Sequence, residues 1–224
     1  PILYCGDTDL GTAASYLAGL MTHWGWTFDY VPSDQPLSHD DLNGRRLFIF
    51  SDYPAAQASH DLQRQVVASV VEGAGLLMIG GWESFHGQGG DWQQTPIGEA
   101  LGVEISAADD RCNSSAPALL VPVPHAVEHP ILSGLPWYDS PPCIGGWNVV
   151  AQGNAETLLT VCQFGDARLT PDESLVGHLT RRSPALCVKT AAQGRCAAFL
   201  SDVAPHWVGG FVDWGTTRVS AQAA

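Results

Sequence analysis

Basic residues are scarce in this chain of 224 residues: Lys and Arg number 10 against 23 Asp and Glu, a formal charge of −13. That balance excludes a phosphate-backbone partner and adhesion to anionic lipid, so neither nucleic acid nor a membrane surface is expected. The densest basic pairs, Arg45–Arg46 and Arg181–Arg182, are too small to reverse it. A small neutral or cationic ligand, or another protein, suits the charge better. Also missing is any apolar run near the ~20 residues that cross a bilayer. The six cysteines (Cys5, Cys112, Cys143, Cys162, Cys187, Cys196) form no C-x-x-C pair, which removes a zinc-finger reading. Most lie in apolar, strand-like stretches. That placement favours buried free thiols in a cytoplasmic protein over a disulfide framework. Neither G-x-G-x-x-G nor a Walker pattern occurs, and no cofactor is expected. No leader is recognisable in the opening "PILYCG", the absent Met suggests trimming, and "VSAQAA" reads as a ragged end.

What is present is a regular alternation over residues 1–90. "ILYCG" reads as a buried strand, and Asp7, Thr8 and Asp9 as cap residues for the helix "TAASYLAGLMTHWG". "TFDYVP" and "RRLFIFSDY" are further strands. "HDLQRQVVASVVEGAG" is a helix with Val66, Val67, Val70 and Val71 facing inward, and "GLLMIGG" is a fourth strand. Continuously apolar strands joined by helices predict a flavodoxin-like parallel sheet with helices on both faces, an α/β fold. Residues 91–224 change rhythm. "ALLVPVP", "WNVVAQG", "TLLTVCQF", "ALCVKTA" and "RCAAFLSD" read as short strands, with a hairpin tip at Gln193–Gly194. The expectation is one domain over 1–224, its parallel core completed by an antiparallel, strand-rich extension.

Ligands gather beyond the carboxyl ends of parallel strands. That rule gathers Cys5–Asp9, Ser51–Pro54 and Trp82–His86, and Asp202–Trp207 could join them. Candidate ligand contacts are therefore Cys5, Asp7, Asp52, Tyr53, Trp82, His86, Asp202 and Trp207. Candidate catalytic groups are Glu83, Ser84 and His206.

The turns "GGWESFHG" (Gly80–Gly87), "HPILSGLP" (His129–Pro136) and "SDVAPHW" (Ser201–Trp207), in that order, resemble the marks of a glutamine amidotransferase-like branch of the class I amidotransferase superfamily. A more distant similarity is to ThuA-like proteins. The resemblance implies a strand-end turn carrying a nucleophilic Cys, with oxyanion donors from the loop after the preceding strand. Laid on that pattern, Trp82 occupies the nucleophile's position. An indole has no nucleophilic lone pair, so ordinary glutaminase activity is not expected.

Each substitute has a plainer alternative. Ser84 lacks the small flanking residues of a nucleophile elbow and serves equally as a turn hydroxyl. Glu83 is an acid–base group if the sheet end desolvates it, and otherwise a solvated carboxylate. Cys5 stands near a helix N-terminus but in a buried strand. His125 and His129 form H-x-x-x-H, yet Pro124 and Pro130 bracket them in a turn, against metal ligation. His206 could simply meet a backbone carbonyl while Trp207 packs. The tryptophans in Gly- and Pro-rich loops (Trp82, Trp92, Trp137, Trp147, Trp207, Trp214) suit stacking on a sugar ring or filling a protein seam, or else core duty. The run Gly87–Gly90 could cradle an anion. Three functions follow: a ligand-binding cleft without the thiol; a hydrolase or transferase using Glu83 and His206 on a sugar or amide; or a structural subunit of a homo-oligomer.

Overall fold

The computed structural model describes residues 1–139, 141–171, 175–204 and 207. Nine strands form a single sheet: β1 (Ile2–Gly6), β2 (Phe28–Pro32), β3 (Leu47–Ser51), β4 (Gly75–Ile79), β5 (Arg111–Pro122), β6 (Cys143–Asn148), β7 (Glu156–Leu169), β8 (Leu175–Ala191) and β9 (Gly194–Phe199). Their order is β2-β1-β3-β4-β9-β8-β7-β5-β6. The five strands from β2 to β9 run parallel, and β8, β7, β5 and β6 continue antiparallel. Three α-helices are described: α1 (Ser15–His23), α2 (His60–Val71) and α3 (Pro96–Ala100). The result is a mixed α/β fold dominated by strand.

Alternation along the parallel strands divides the apolar residues. Leu3, Phe48, Phe50, Leu76 and Met78 cluster with Val66 and Val70 of α2. Tyr4, Ile49 and Ile79 cluster with Ala18 and Met21 of α1. Successive residues of one strand therefore meet different helices, as the two-residue period requires. Val66 and Val70 are each fully buried, worth roughly 1.5–3 kcal/mol apiece. Val71, expected inside, is 46% exposed, because the inward arc of α2 is already filled by its neighbours one turn apart.

Two local expectations need correcting. Asp7, Thr8 and Asp9 do not cap α1, whose N-cap is Ala14 without a side-chain bond. They build the turn before it: the Asp7 carboxylate accepts Thr8 N–H at 2.8 Å and the Thr12 hydroxyl at 3.0 Å, and Asp9 accepts Gly11 N–H. The β8–β9 hairpin turns at Ala192–Gln193, one residue earlier than expected, since Ala191 pairs with Gly194 and Ala192 takes the positive φ of 53°.

The antiparallel half has its own core, in which Trp137, Trp147 and Trp207 pack with Leu120, Leu158 and Ile144. Beyond it the β7–β8 hairpin runs on as a two-stranded arm. Phe164–Leu169 pair with 175–179, while β5 and β9 pair with other parts of these strands.

Candidate ligand cleft

The chain steps from β1 outward to β2, and from β3 the other way to β4, so the winding direction reverses between β1 and β3. At such a reversal the loops leaving the strands splay apart and open a crevice. Asp7 follows β1 and Asp52 follows β3 on either side of it, and the turn after β4 supplies Trp82 and Glu83. A cleft of about 740 Å³ lies there, lined by Asp7, Asp52, Trp82, Glu83, Gln88, Asn113 and Trp207.

The floor is a tight junction of two loops. Asp52 adopts φ 52°. Its N–H donates to Ser84 Oγ at 3.0 Å, and its Oδ1 accepts the Glu83 N–H at 2.9 Å. The carboxylate lies directly on Gly81, where any Cβ would collide with it. Asn148, at the end of β6, holds the same turn from the other side. Its Oδ1 accepts Gly81 N–H at 2.9 Å, and its Nδ2 donates to Gly81 O at 3.2 Å and to Asp110 Oδ1 at 2.8 Å. The other Asp110 oxygen accepts His86 N–H at 3.0 Å. The turn is thus clamped by buried polar groups that satisfy one another.

Its electrostatics are acidic. Burial, and then the negative charge of Asp202, push the Asp52 carboxyl up to about 7, against the opposing Glu83 N–H. Burial and Asp7 raise Glu83, partly offset by a hydrogen bond with Ser33. Burial also raises Asp110, countered by Asn148 and the His86 N–H. Asp202 is buried, and its Oδ1 accepts Ala204 N–H at 2.8 Å. The Tyr30 hydroxyl donates to the Asp7 carbonyl.

Aromatic rings form the rim. Trp82 is 48% exposed, and the Arg111 guanidinium sits 4.6 Å from its ring centroid, fixed by paired bonds to Asp109 at 2.9 and 2.6 Å. Trp207 packs its indole over Gly146 and donates to Asn113 Oδ1 at 2.9 Å.

Of the residues singled out in the sequence, Asp7, Asp52, Trp82, Glu83 and Trp207 line the cleft, and Asp202 lies close enough to raise Asp52. Cys5 is wholly buried in the core. Tyr53 is buried too, its hydroxyl donating to Gln35 O at 2.7 Å. Ser84 is buried with its hydroxyl spent on Asp52 N–H. His86 turns its Nε2 toward Asp91, at 3.9 Å. His206 and Trp214 lie outside the described residues. Trp92, Trp137 and Trp147 are buried, so of the described loop tryptophans only Trp82 offers a large free face. The run Gly87–Gly90 packs on its own loop, with Gly87 against the Trp82 carbonyl and Gly90 against the Ser84 carbonyl. His125 lies in the expected turn, its Nε2 3.6 Å from Glu156. Among the described residues no group of three or more His, Cys, Asp and Glu could hold a metal ion.

Sequence reasoning missed Asn113, Asp110, Asn148, Arg111 and Gln88. Asn148 had one signal, a carboxamide directly after the second "GGW" within an apolar stretch. Chemically, the cleft can accept hydrogen bonds from hydroxyl or ammonium donors, stack an apolar ring face on Trp82, and exchange a proton near neutral pH through Asp52.

The chain belongs to the family described as "Putative glutamine amidotransferase", which matches residues 46–220. No curated protein matches the sequence. Two cytoplasmic proteins of Salmonella typhimurium, the second from strain LT2, share the fold at 23% and 24% identity. Both have a TM-score of 0.70, over 92% of this chain and 89% of theirs. A β-galactosidase from Rahnella sp. R3 matches at a TM-score of 0.54 and 14% identity, over 89% of this chain and 28% of that enzyme.

Proposed function

We propose that this chain is an amidotransferase-like protein that has given up glutamine hydrolysis and uses its cleft to bind a small polyol or amine. The observation carrying the proposal is the pairing of Trp82 at the strand-end turn with the burial of Cys5 in the core. Glutamine hydrolysis needs a thiolate at that turn, and none of the cysteines lines the cleft. Asp7, Asp52 and Glu83 match the donors of a polyol or an ammonium group, and the indole matches its C–H face. The supporting frame is a flavodoxin-like parallel half covered on both faces, in one domain over 1–224. A cytoplasmic location agrees with the free thiols and with the two Salmonella relatives. Two measurements test this reading. Incubation with glutamine should release no ammonia above the buffer rate. Titration with a panel of sugars, polyols and primary amines, followed by tryptophan fluorescence, should yield a binder whose signal disappears in Trp82→Ala. Ammonia release by the wild-type protein would overturn it.

A second reading has one specific observation in its favour. Asp52, held near 7 and bonded to the Glu83 N–H, is a carboxyl able to give and take a proton at neutral pH beside a second raised carboxyl. That pair, with or without His206, would suit a hydrolase or transferase acting on a sugar or amide. Turnover of any panel compound that follows a pH profile centred near 7 and is lost in both Asp52→Asn and Glu83→Gln would establish it.

A further inference from the structure

From Leu10 to Phe28 the sequence contains no Asp, Glu, Lys or Arg, although the chain carries a charge of −13. α1 lies in this stretch, turning Ala18 and Met21 to the sheet. Its opposite side carries an apolar stripe beside the exposed Thr22 and His23, where a solvated helix face is ordinarily polar throughout. Tyr16, Leu20 and Trp24, spaced one turn apart, are 41%, 36% and 68% exposed. The helix stops in a glycine-type cap, with Gly25 at φ 69°, Gly25 N–H on Thr22 O and Trp26 N–H on Met21 O. That cap presents Trp26, 57% exposed, just beyond the stripe.

We propose that this face is the contact between two copies of the chain, α1 packing antiparallel on α1 about a two-fold axis at Leu20. Three observations select a second copy. The stripe is self-complementary, since with Leu20 on the axis the Tyr16 of one copy meets the Trp24 of the other. Two bodies that each carry −13 approach most easily through surface without charge, and this is the longest uncharged stretch beside an exposed apolar stripe. The area is also right for a reversible contact. At about 200 Å² for each aromatic side chain, the exposed parts of these four residues come to roughly 400 Å² per copy, the size of a weak interface. A membrane is the poorer occupant, because helices that lie on lipid carry Lys and Arg on their polar face and α1 has none.

Sedimentation velocity of the full chain across a concentration series tests this. The wild-type protein should pass from monomer to dimer with a Kd of about 1–100 µM. Leu20→Lys sets a cation against its own copy on the axis, and Tyr16→Glu places an anion in the first helical turn, where the helix tolerates it. Each should weaken association at least tenfold with an unchanged far-ultraviolet circular dichroism spectrum, while Leu20→Met retains the dimer. A wild-type protein that stays monomeric throughout the series overturns the proposal, and so does a dimer that both charged variants leave intact. Binding of the monomer to neutral lipid vesicles, with no dimer, would assign the face to a membrane instead and overturn it equally.

Discussion

Asn148 grips Gly81 by both of its backbone polar groups, its side-chain oxygen accepting the Gly81 N–H at 2.9 Å and its nitrogen donating to the Gly81 carbonyl at 3.2 Å. The two residues are 67 positions apart and belong to the antiparallel and parallel halves of the sheet. The contact sets where the β4 turn points, and with it Trp82 and Glu83.

Removing that clamp should therefore be costly. Asn148→Ala strands the buried Gly81 N–H and leaves Asp110 without its amide partner, so a loss of about 2–3 kcal/mol is expected in urea unfolding. Asn148→Leu, similar in bulk but without hydrogen bonds, should be no better. A loss below about 0.5 kcal/mol, the ordinary cost of a surface change, would show that the clamp does not hold the turn.

The Gly81–Asp52 contact gives a sharper, paired test. A Cβ at Gly81 would run into the Asp52 carboxylate and no other residue's atoms rank as near. Gly81→Ala should cost about 1–3 kcal/mol in the wild-type background. In Asp52→Gly, which suits the φ of 52° and deletes the carboxylate, the same alanine should be nearly neutral. The coupling energy from the double-mutant cycle measures the contact. Additive losses would mean that Gly81 is small for another reason.

How stability follows pH depends on the same carboxyl. The Asp52 carboxyl is raised to about 7 in the folded protein, so the folded state holds a proton that the unfolded chain has already released. Its contribution is fully present below about pH 4 and is lost as pH rises through about 7. Asp52→Asn keeps an acceptor for the Glu83 N–H and tolerates the positive φ. It should flatten the decline between about pH 4 and 7, the bounds set by the two pKa values, and stabilise the protein at the upper end by about 2 kcal/mol in thermal or urea melts. Parallel curves for variant and wild type would remove Asp52 as the source.

The parallel half was legible because β1, β3 and β4 are almost wholly apolar runs that end at Gly or Asp, and the strand-end rule then brought Asp7, Asp52 and Glu83 together. The length of β7 and β8 was not. Their outer parts, Phe164–Leu169 and 175–179, pair only with each other, so Val176, His178 and Leu179 sit in strand with no buried face to impose alternation. The tryptophans misled for a related reason. Glycine- and proline-rich surroundings suggested display, but Trp92, Trp137 and Trp147 fill the cores. Besides Trp82, the exposed indoles are Trp24 and Trp26, at the end of α1 and just beyond it. The Asn148–Asp110 clamp was invisible because it depends on the end of β6 meeting the turn after β4, a long-range contact that no local pattern encodes.

Thiol chemistry offers a direct test of the cleft. Cys5, Cys162, Cys187 and Cys196 are buried, and burial pushes the thiols of Cys5, Cys187 and Cys196 up, away from the thiolate form. Cys112 is half-buried beside Arg181, and Cys143 is exposed at the start of β6, outside the cleft lining. A chromogenic disulfide reagent at neutral pH should therefore find one fast thiol in the native protein, and all six after unfolding. Cys143→Ser should abolish the fast phase and leave tryptophan-detected ligand binding unchanged. An amidotransferase that kept its nucleophile would behave differently, showing a second fast thiol with a depressed pKa that a cleft ligand protects. Finding that thiol in Cys143→Ser would overturn the proposed loss of glutamine hydrolysis, because that proposal rests on a cleft lined by no reactive sulfur.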